Sequence, residues 1–175
     1  SFFERHFSLE SMFYLEYFTY KTYSQYIMNK KIAYEIFRRF QENKPNPKIE
    51  LDYKDPYTLL VAVVLSAQAT DKGVNKATPA LFEVADTPQK MVDLGLEKLK
   101  TYVKSIGLYN SKSKNIIELS KILVEKFNSV VPDNFEDLTS LPGVGRKSAN
   151  VLLSSLWGKE RIAVDTHVFR ISNRI

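Results

Sequence analysis

The chain has 175 residues, 44% of them apolar, enough to bury one substantial core arranged as one body or two lobes. It has no cysteine and only two histidines, His6 and His167, which excludes disulfides, thiolate metal sites and a histidine-rich metal centre built from this chain. A net charge of +5 and a pI near 9.2 suit a polyanionic partner without requiring one, and no apolar run reaches the ~18 residues of a membrane span.

Residues 1–27 differ in kind from the rest. They hold ten of the chain's 22 aromatic side chains, five Phe and five Tyr, yet lack the basic start and aliphatic core of a secretory signal. They read as an appendage outside the core, and Met28 as a natural beginning; Ser1 in place of a methionine suggests a fragment. From Asn29 the pattern is helical. Asn29 is placed to cap a helix with the stripe Ile32, Ile36, Phe37 and Phe40, closed by Lys44-Pro45-Asn46-Pro47. Asp55 caps the next, with Pro56 at its first position. The run Leu59 to Leu65 is continuous and valine-rich, so periodicity does not separate strand from buried helix, and the cap and a length of about 13 residues to Gln68 favour helix. Asp71 opens a third helix carrying Val74, Ala77, Leu81 and Val84. Thr87-Pro88 begins a short turn, and Leu96, Leu99, Val103 and Ile106 mark a fourth helix that Gly107 ends.

The fifth has the clearest stripe, Ile116, Leu119, Leu123 and Phe127, with Lys and Glu opposite. A short piece from Asn134 to Ser140 leads into Leu141-Pro142-Gly143-Val144-Gly145, where two glycines permit a bend that β-carbons would hinder. A seventh helix follows from Arg146 to about Trp157, burying Ala149, Leu152, Leu153 and Leu156. Ile162 to His167 begins another that is cut at Ile175, which reads as truncation. No alternating strand appears, so the expected class is all-α, a helical bundle or barrel.

Several residues are not explained by a core. The bend at Leu141–Gly145 ends in a helix N-terminus, a natural seat for phosphate. Lys147 lies about 200° round that helix from Ala149, and is either a solvated surface lysine or a nucleophile. A cation is electrostatically disfavoured in a first turn, and a neutral amine is what nucleophilic attack needs. Asp165 reads as a helix N-cap, a role compatible with stabilising positive charge or accepting a proton. Ser66 to Asp71, with Gln68, is a compact polar run between helices. In Gly107 to Lys112, Leu108 either tucks back as a helix-ending contact or serves as a wedge between base pairs, with Gln68 filling the hole left by an extruded nucleotide.

Five segments occur in one order: Leu65 to Asp71, Val74 to Ala77, Ile106 to Lys112, Leu141 to Lys147 and Ala163 to Arg170. From about Met28 onward the chain closely resembles the bacterial endonuclease III family, helix-hairpin-helix DNA glycosylases with abasic-site lyase activity. The resemblance implies that Lys147 is the nucleophile attacking C1′ of a damaged pyrimidine nucleotide and that Asp165 activates it or stabilises the cationic sugar. It implies a phosphate grip at Leu141, Gly143, Val144, Gly145 and Arg146, and entry of Gln68 and Leu108 into the duplex, with Ser66, Tyr109, Asn110 and Lys112 as further DNA contacts. The expected partner is double-stranded DNA bearing damaged pyrimidines or abasic sites, met by a cytoplasmic, nucleoid-associated monomer without membrane contact. No cofactor is expected in this chain; the family's [4Fe-4S] cluster would need four cysteines beyond Ile175. A non-catalytic DNA-binding fragment is the alternative. The implied organisation is an extension at 1–27, the N-terminal helix and linker of a second lobe at 28–54, a helical barrel at 55–160 with the helix-hairpin-helix at 136–157, and the start of a C-terminal lobe at 161–175.

Overall fold

The computed structural model describes residues 30–45 and 47–174; the aromatic leader, Met28 and the Asn29 cap lie outside them. All regular structure among the described residues is helical, as the patterning implies. The described residues divide into two compact units, one of residues 50–152 and one of the described residues before 50 together with those from 153 to 174.

After α1 (Lys30–Asn43), which belongs to the other unit, the helices of the first unit are α2 (Pro56–Ser66), α3 (Asp71–Val84), α4 (Pro88–Leu94), α5 (Leu96–Val103), α6 (Tyr109–Lys126), α7 (Phe135–Ser140) and the start of α8 (Arg146–Trp157). A capping box begins α2: Asp55 accepts from the Thr58 N–H at 2.8 Å, while the Thr58 hydroxyl accepts from the Asp55 N–H at 3.0 Å. Every residue from Tyr57 to Leu65 is buried, which is why the run shows no helical period. Each such aliphatic side chain contributes about 1.5–3 kcal/mol by leaving water. α6 packs against α2, α4 and α5, and α3 against α2 and α5.

Several boundaries differ from the sequence expectation, beginning with α2, which ends at Ser66 rather than Gln68. Thr70, not Asp71, caps α3, because its hydroxyl can accept from the Gly73 N–H at 3.2 Å. Val84, in the last turn of that helix, is 46% exposed rather than buried, while Thr78 and Phe82 join Val74, Ala77 and Leu81 inside. The stretch after Thr87 is two helices, split where Gly95 takes φ +78°. α5 ends at Val103, well before Gly107, and Ile106 is buried in the turn that follows. α6 buries Ile116, Leu119 and Leu123, but Phe127 is its half-buried C-cap.

In the other unit, α1 (Lys30–Asn43) carries the expected stripe yet buries none of its residues, and Ile32 and Phe40 are exposed. Its polar face is ordered by Glu35, which accepts from Arg38 at 2.8 Å and Arg39 at 2.9 Å; these guanidiniums hold the Glu35 carboxyl down to about 2. At the end of α8, Leu156 is half-buried, whereas Ala149, Leu152 and Leu153 are fully inside. α9 (Thr166–Ser172) closes the described chain.

Candidate functional site

Between α7 and α8 the chain turns on Pro142 and Gly143, and the Val144 N–H donates to the Leu141 carbonyl at 3.1 Å. Proline followed by a glycine at φ +82° is the residue pattern of a type II turn. Leu141 and Val144 are buried, so these side chains anchor the turn and leave its backbone as the outward surface. Gly143 is required twice over: by its φ, and because a β-carbon would lie 3.0 Å from Asn115 Nδ2 and 3.2 Å from Val64 Cγ1. Gly145 differs from expectation. Its φ lies outside the left-handed region and a β-carbon there would meet nothing within 4 Å, so the bend does not need it. Its carbonyl accepts from the Ala149 N–H at 2.9 Å, which makes it the cap residue of α8, one with no side-chain acceptor and an open approach.

Arg146 and Lys147 follow, both exposed, in the first turn of α8. The Arg146 guanidinium carbon sits 5.8 Å from the centroid of Phe135, a cation–π contact that limits its swing. Lys147 is on the side of the helix away from buried Ala149.

A second pair of features lies on the loops after α2 and before α6. Gln68 and Leu108 both adopt left-handed backbone, at φ +56° and +59°, without being glycine. Such a conformation costs about 1–2 kcal/mol per residue. Both side chains are exposed, Leu108 at 60%, so it does not tuck back as a helix-ending contact. The two loops adjoin: a β-carbon on Gly107 would lie 3.8 Å from the Gln68 carbonyl oxygen. Asn110 is exposed and Tyr109 half-buried, while the Ser66 hydroxyl donates to the Val63 carbonyl at 3.0 Å.

Lys112 departs from the role the sequence suggests. It is only 5% exposed, and its Nζ donates to the Leu65 carbonyl at 2.9 Å, inside the unit rather than toward a ligand. Burial pulls its ammonium below the ordinary lysine range. Two residues that frame the site carried no sequence signal: Asn115 beneath Gly143, and Phe135 beneath Arg146.

Asp165, in the unit with α1, is the N-cap of α9, and its Oδ1 accepts from the His167 and Val168 N–H groups, each at 2.9 Å. The carboxylate is therefore fixed in direction by the helix it starts. A [4Fe-4S] cluster does not fit this chain: it contains no cysteine, and among the described residues no group of three or more His, Asp or Glu is placed to hold a metal.

Residues 61–175 match the model of the HhH-GPD superfamily base excision DNA repair proteins. The chain is 59% identical over 148 residues to endonuclease III of Rickettsia conorii, covering 85% of this chain and 70% of the relative. It is 58% identical over 147 residues to endonuclease III of Haemophilus influenzae, covering 84% and 70%. Its fold superposes on a trapped endonuclease III–DNA covalent intermediate with a TM-score of 0.79 at 44% identity, covering 83% of this chain and 68% of that one. With the hairpin, its glycine and the following lysine in place, the chain belongs to the endonuclease III family of the HhH-GPD superfamily of base excision DNA repair proteins.

Proposed function

We propose that this chain acts as a bifunctional DNA glycosylase and abasic-site lyase of base excision repair, removing oxidised pyrimidines from duplex DNA and nicking 3′ to the abasic site. The observation that carries the reading is the placement of exposed Lys147 directly behind a turn whose glycine is locked against Asn115 and Val64. A similar structure is a trapped protein–DNA covalent intermediate, an outcome that demands a nucleophile on the protein.

Lys147 is the residue to which we assign that role. Its neutral Nζ attacks C1′, the bond from C1′ to the base nitrogen breaks, and the departing base takes up a proton. The C1′–O4′ bond then breaks, O4′ takes up a proton to become a hydroxyl, and the C1′–Nζ bond becomes a protonated Schiff base. Loss of a C2′ proton then expels the C3′ oxygen with its phosphate, which cuts the strand. Asp165 is assigned to take the proton that the attacking amine releases, or to stabilise the cationic sugar, from a carboxylate whose direction the α9 cap fixes.

The outward backbone of the Leu141–Gly145 turn, with Arg146 beside it, is assigned to a DNA phosphate, and exposed Gln68 and Leu108 to the duplex interior. Ser66, Tyr109 and Asn110 border the same contact. The acting species is a monomer in the bacterial cytoplasm, working at the nucleoid.

Borohydride reduction of the chain with a duplex holding one abasic site tests this. Wild type gives a covalent adduct and Lys147→Ala gives none. An adduct of equal yield from the alanine variant, or none from wild type, refutes the assignment.

A further inference from the structure

Lys112 spends a buried ammonium on one hydrogen bond. In the first turn of α6 a cation opposes the helix dipole, and burial strips it of water, so the site penalises lysine twice. What it satisfies is specific. α2 ends at Ser66, and the Ala69 N–H, which would continue the helical ladder to Leu65, instead donates to the Ser66 carbonyl at 2.9 Å. The Leu65 carbonyl thereby loses its helical donor, and Lys112 Nζ replaces it at 2.9 Å.

The other end of Lys112 holds the second loop. Its backbone N–H donates to the Leu108 carbonyl at 3.1 Å, the first helical bond of α6, and Leu108 has no side chain able to cap. One residue thus grips the carbonyl three positions before Gln68 and the carbonyl of Leu108 itself. Gln68 and Leu108 both hold left-handed backbone that a relaxed loop would leave, and Gly107 brings their loops together without a β-carbon between them.

We propose that Lys112 is a positioning residue that ties the Gln68 loop to the Leu108 loop, so that the two exposed side chains enter a duplex as one rigid unit. The tie stands on the geometry, and its consequence for base extrusion rests on the function proposed above. A residue 47 positions from its acceptor and buried away from any ligand acts here through Gln68 and Leu108, never by touching DNA.

The test compares the full chain as wild type, Lys112→Met and Lys112→Arg. Methionine fills the volume without a donor; arginine restores donor and charge. Amide hydrogen exchange is followed in peptides covering 66–70 and 105–109. Loss of the tie speeds exchange in both segments together by about tenfold or more in Lys112→Met, with 116–123 unchanged and Lys112→Arg closer to wild type. Borohydride trapping is timed in parallel on an abasic site in duplex and in single-stranded DNA. The duplex rate falls about tenfold or more in Lys112→Met, as displacement of a positioning group predicts, and the single-strand rate holds. Equal exchange in wild type and Lys112→Met, or equal loss on both DNA forms, overturns the proposal. Should methionine prevent folding, reductive methylation of wild type decides: Lys112 stays unmodified while exposed Lys104 and Lys114 react, and modification at their rate overturns the tie. If wild type forms no adduct with either DNA, the proposed function fails, and the exchange data alone judge the tie.

Discussion

Gly143 lies flush against the side chain of Asn115, where a β-carbon would fall 3.0 Å from Nδ2 and 3.1 Å from Cβ. The contact joins the hairpin to α6, and the same missing β-carbon admits Val64 of α2 from another side. Gly143→Ala imposes both a left-handed alanine and an overpacked contact, so it lowers stability by about 2–4 kcal/mol. Gly145→Ala, facing open space, changes stability by less than about 0.5 kcal/mol. Its added methyl stands where a phosphate would approach, so it weakens duplex binding instead. Urea denaturation and a duplex titration on the two variants separate these effects. Equal destabilisation by both substitutions contradicts the assignment.

The local chemistry of the fold is legible because caps act over three or four residues. Asp55-Pro56 and Asn134 mark helix starts from their own side chains and from neighbours within reach. The site is legible only in part, for a related reason. Sequence spacing identifies Gln68, Leu108 and the Leu141–Lys147 hairpin, but it does not tell an outward lysine from an inward one. Lys112 and Lys147 each follow a glycine-containing bend at a helix start, and only tertiary packing sends Lys112 inward to Leu65. Gly145 and Gly143 likewise look equivalent in the sequence, and the difference arises from Asn115 and Val64, remote in the chain. The stripe of α1 carries the converse lesson, since periodicity reports an amphipathic helix but not what covers it.

Arg146 offers a test of the phosphate contact that does not depend on turnover. Its guanidinium rests on Phe135 and remains exposed, a geometry that presents the charge outward while restricting its motion. Arg146→Ala reduces the slope of log affinity against log salt by about one and weakens binding to all duplex sequences alike. Phe135→Leu keeps the charge, so it leaves the slope intact and costs affinity through lost order alone. Fluorescence titrations at several salt concentrations read both quantities. An unchanged slope in Arg146→Ala removes this residue from the interface.

Tyr57 sets the response to alkali. Its hydroxyl meets Ser120 Oγ at 2.7 Å, and Ser120 in turn donates to the Ile116 carbonyl at 2.6 Å, which leaves Tyr57 as the donor to Ser120. Burial pushes the phenol well above its ordinary value of 10.0, aided by the charge of Asp55. The folded state therefore holds this proton more tightly than the unfolded chain does. The stability it contributes is complete below pH 10 and drains away as pH rises from there toward the folded value. Lys112 works with the opposite sign, because its lowered folded value adds stability as pH climbs toward 10.5. Tyr57→Phe leaves Lys112 untouched, so comparing the two isolates the phenol. The variant loses about 1 kcal/mol at neutral pH and has the flatter melting-temperature profile above pH 10. Parallel profiles rule out this source of alkaline sensitivity.

Asp165 carries two duties that substitution can separate. As N-cap of α9 it needs an acceptor oxygen for the His167 and Val168 N–H groups, and asparagine supplies one as well as aspartate does. For the proposed chemistry it needs a carboxylate, which asparagine lacks. Asp165→Asn therefore keeps stability within about 0.5 kcal/mol of wild type while slowing single-turnover excision by about 100-fold or more. Asp165→Ala loses the same rate and, in addition, about 1 kcal/mol of stability through the vacated cap. Thermal melts and rapid-quench excision of a ring-saturated pyrimidine measure the two duties side by side. Excision by Asp165→Asn at the wild-type rate would reduce this residue to a helix cap and leave the attacking amine to find another proton acceptor.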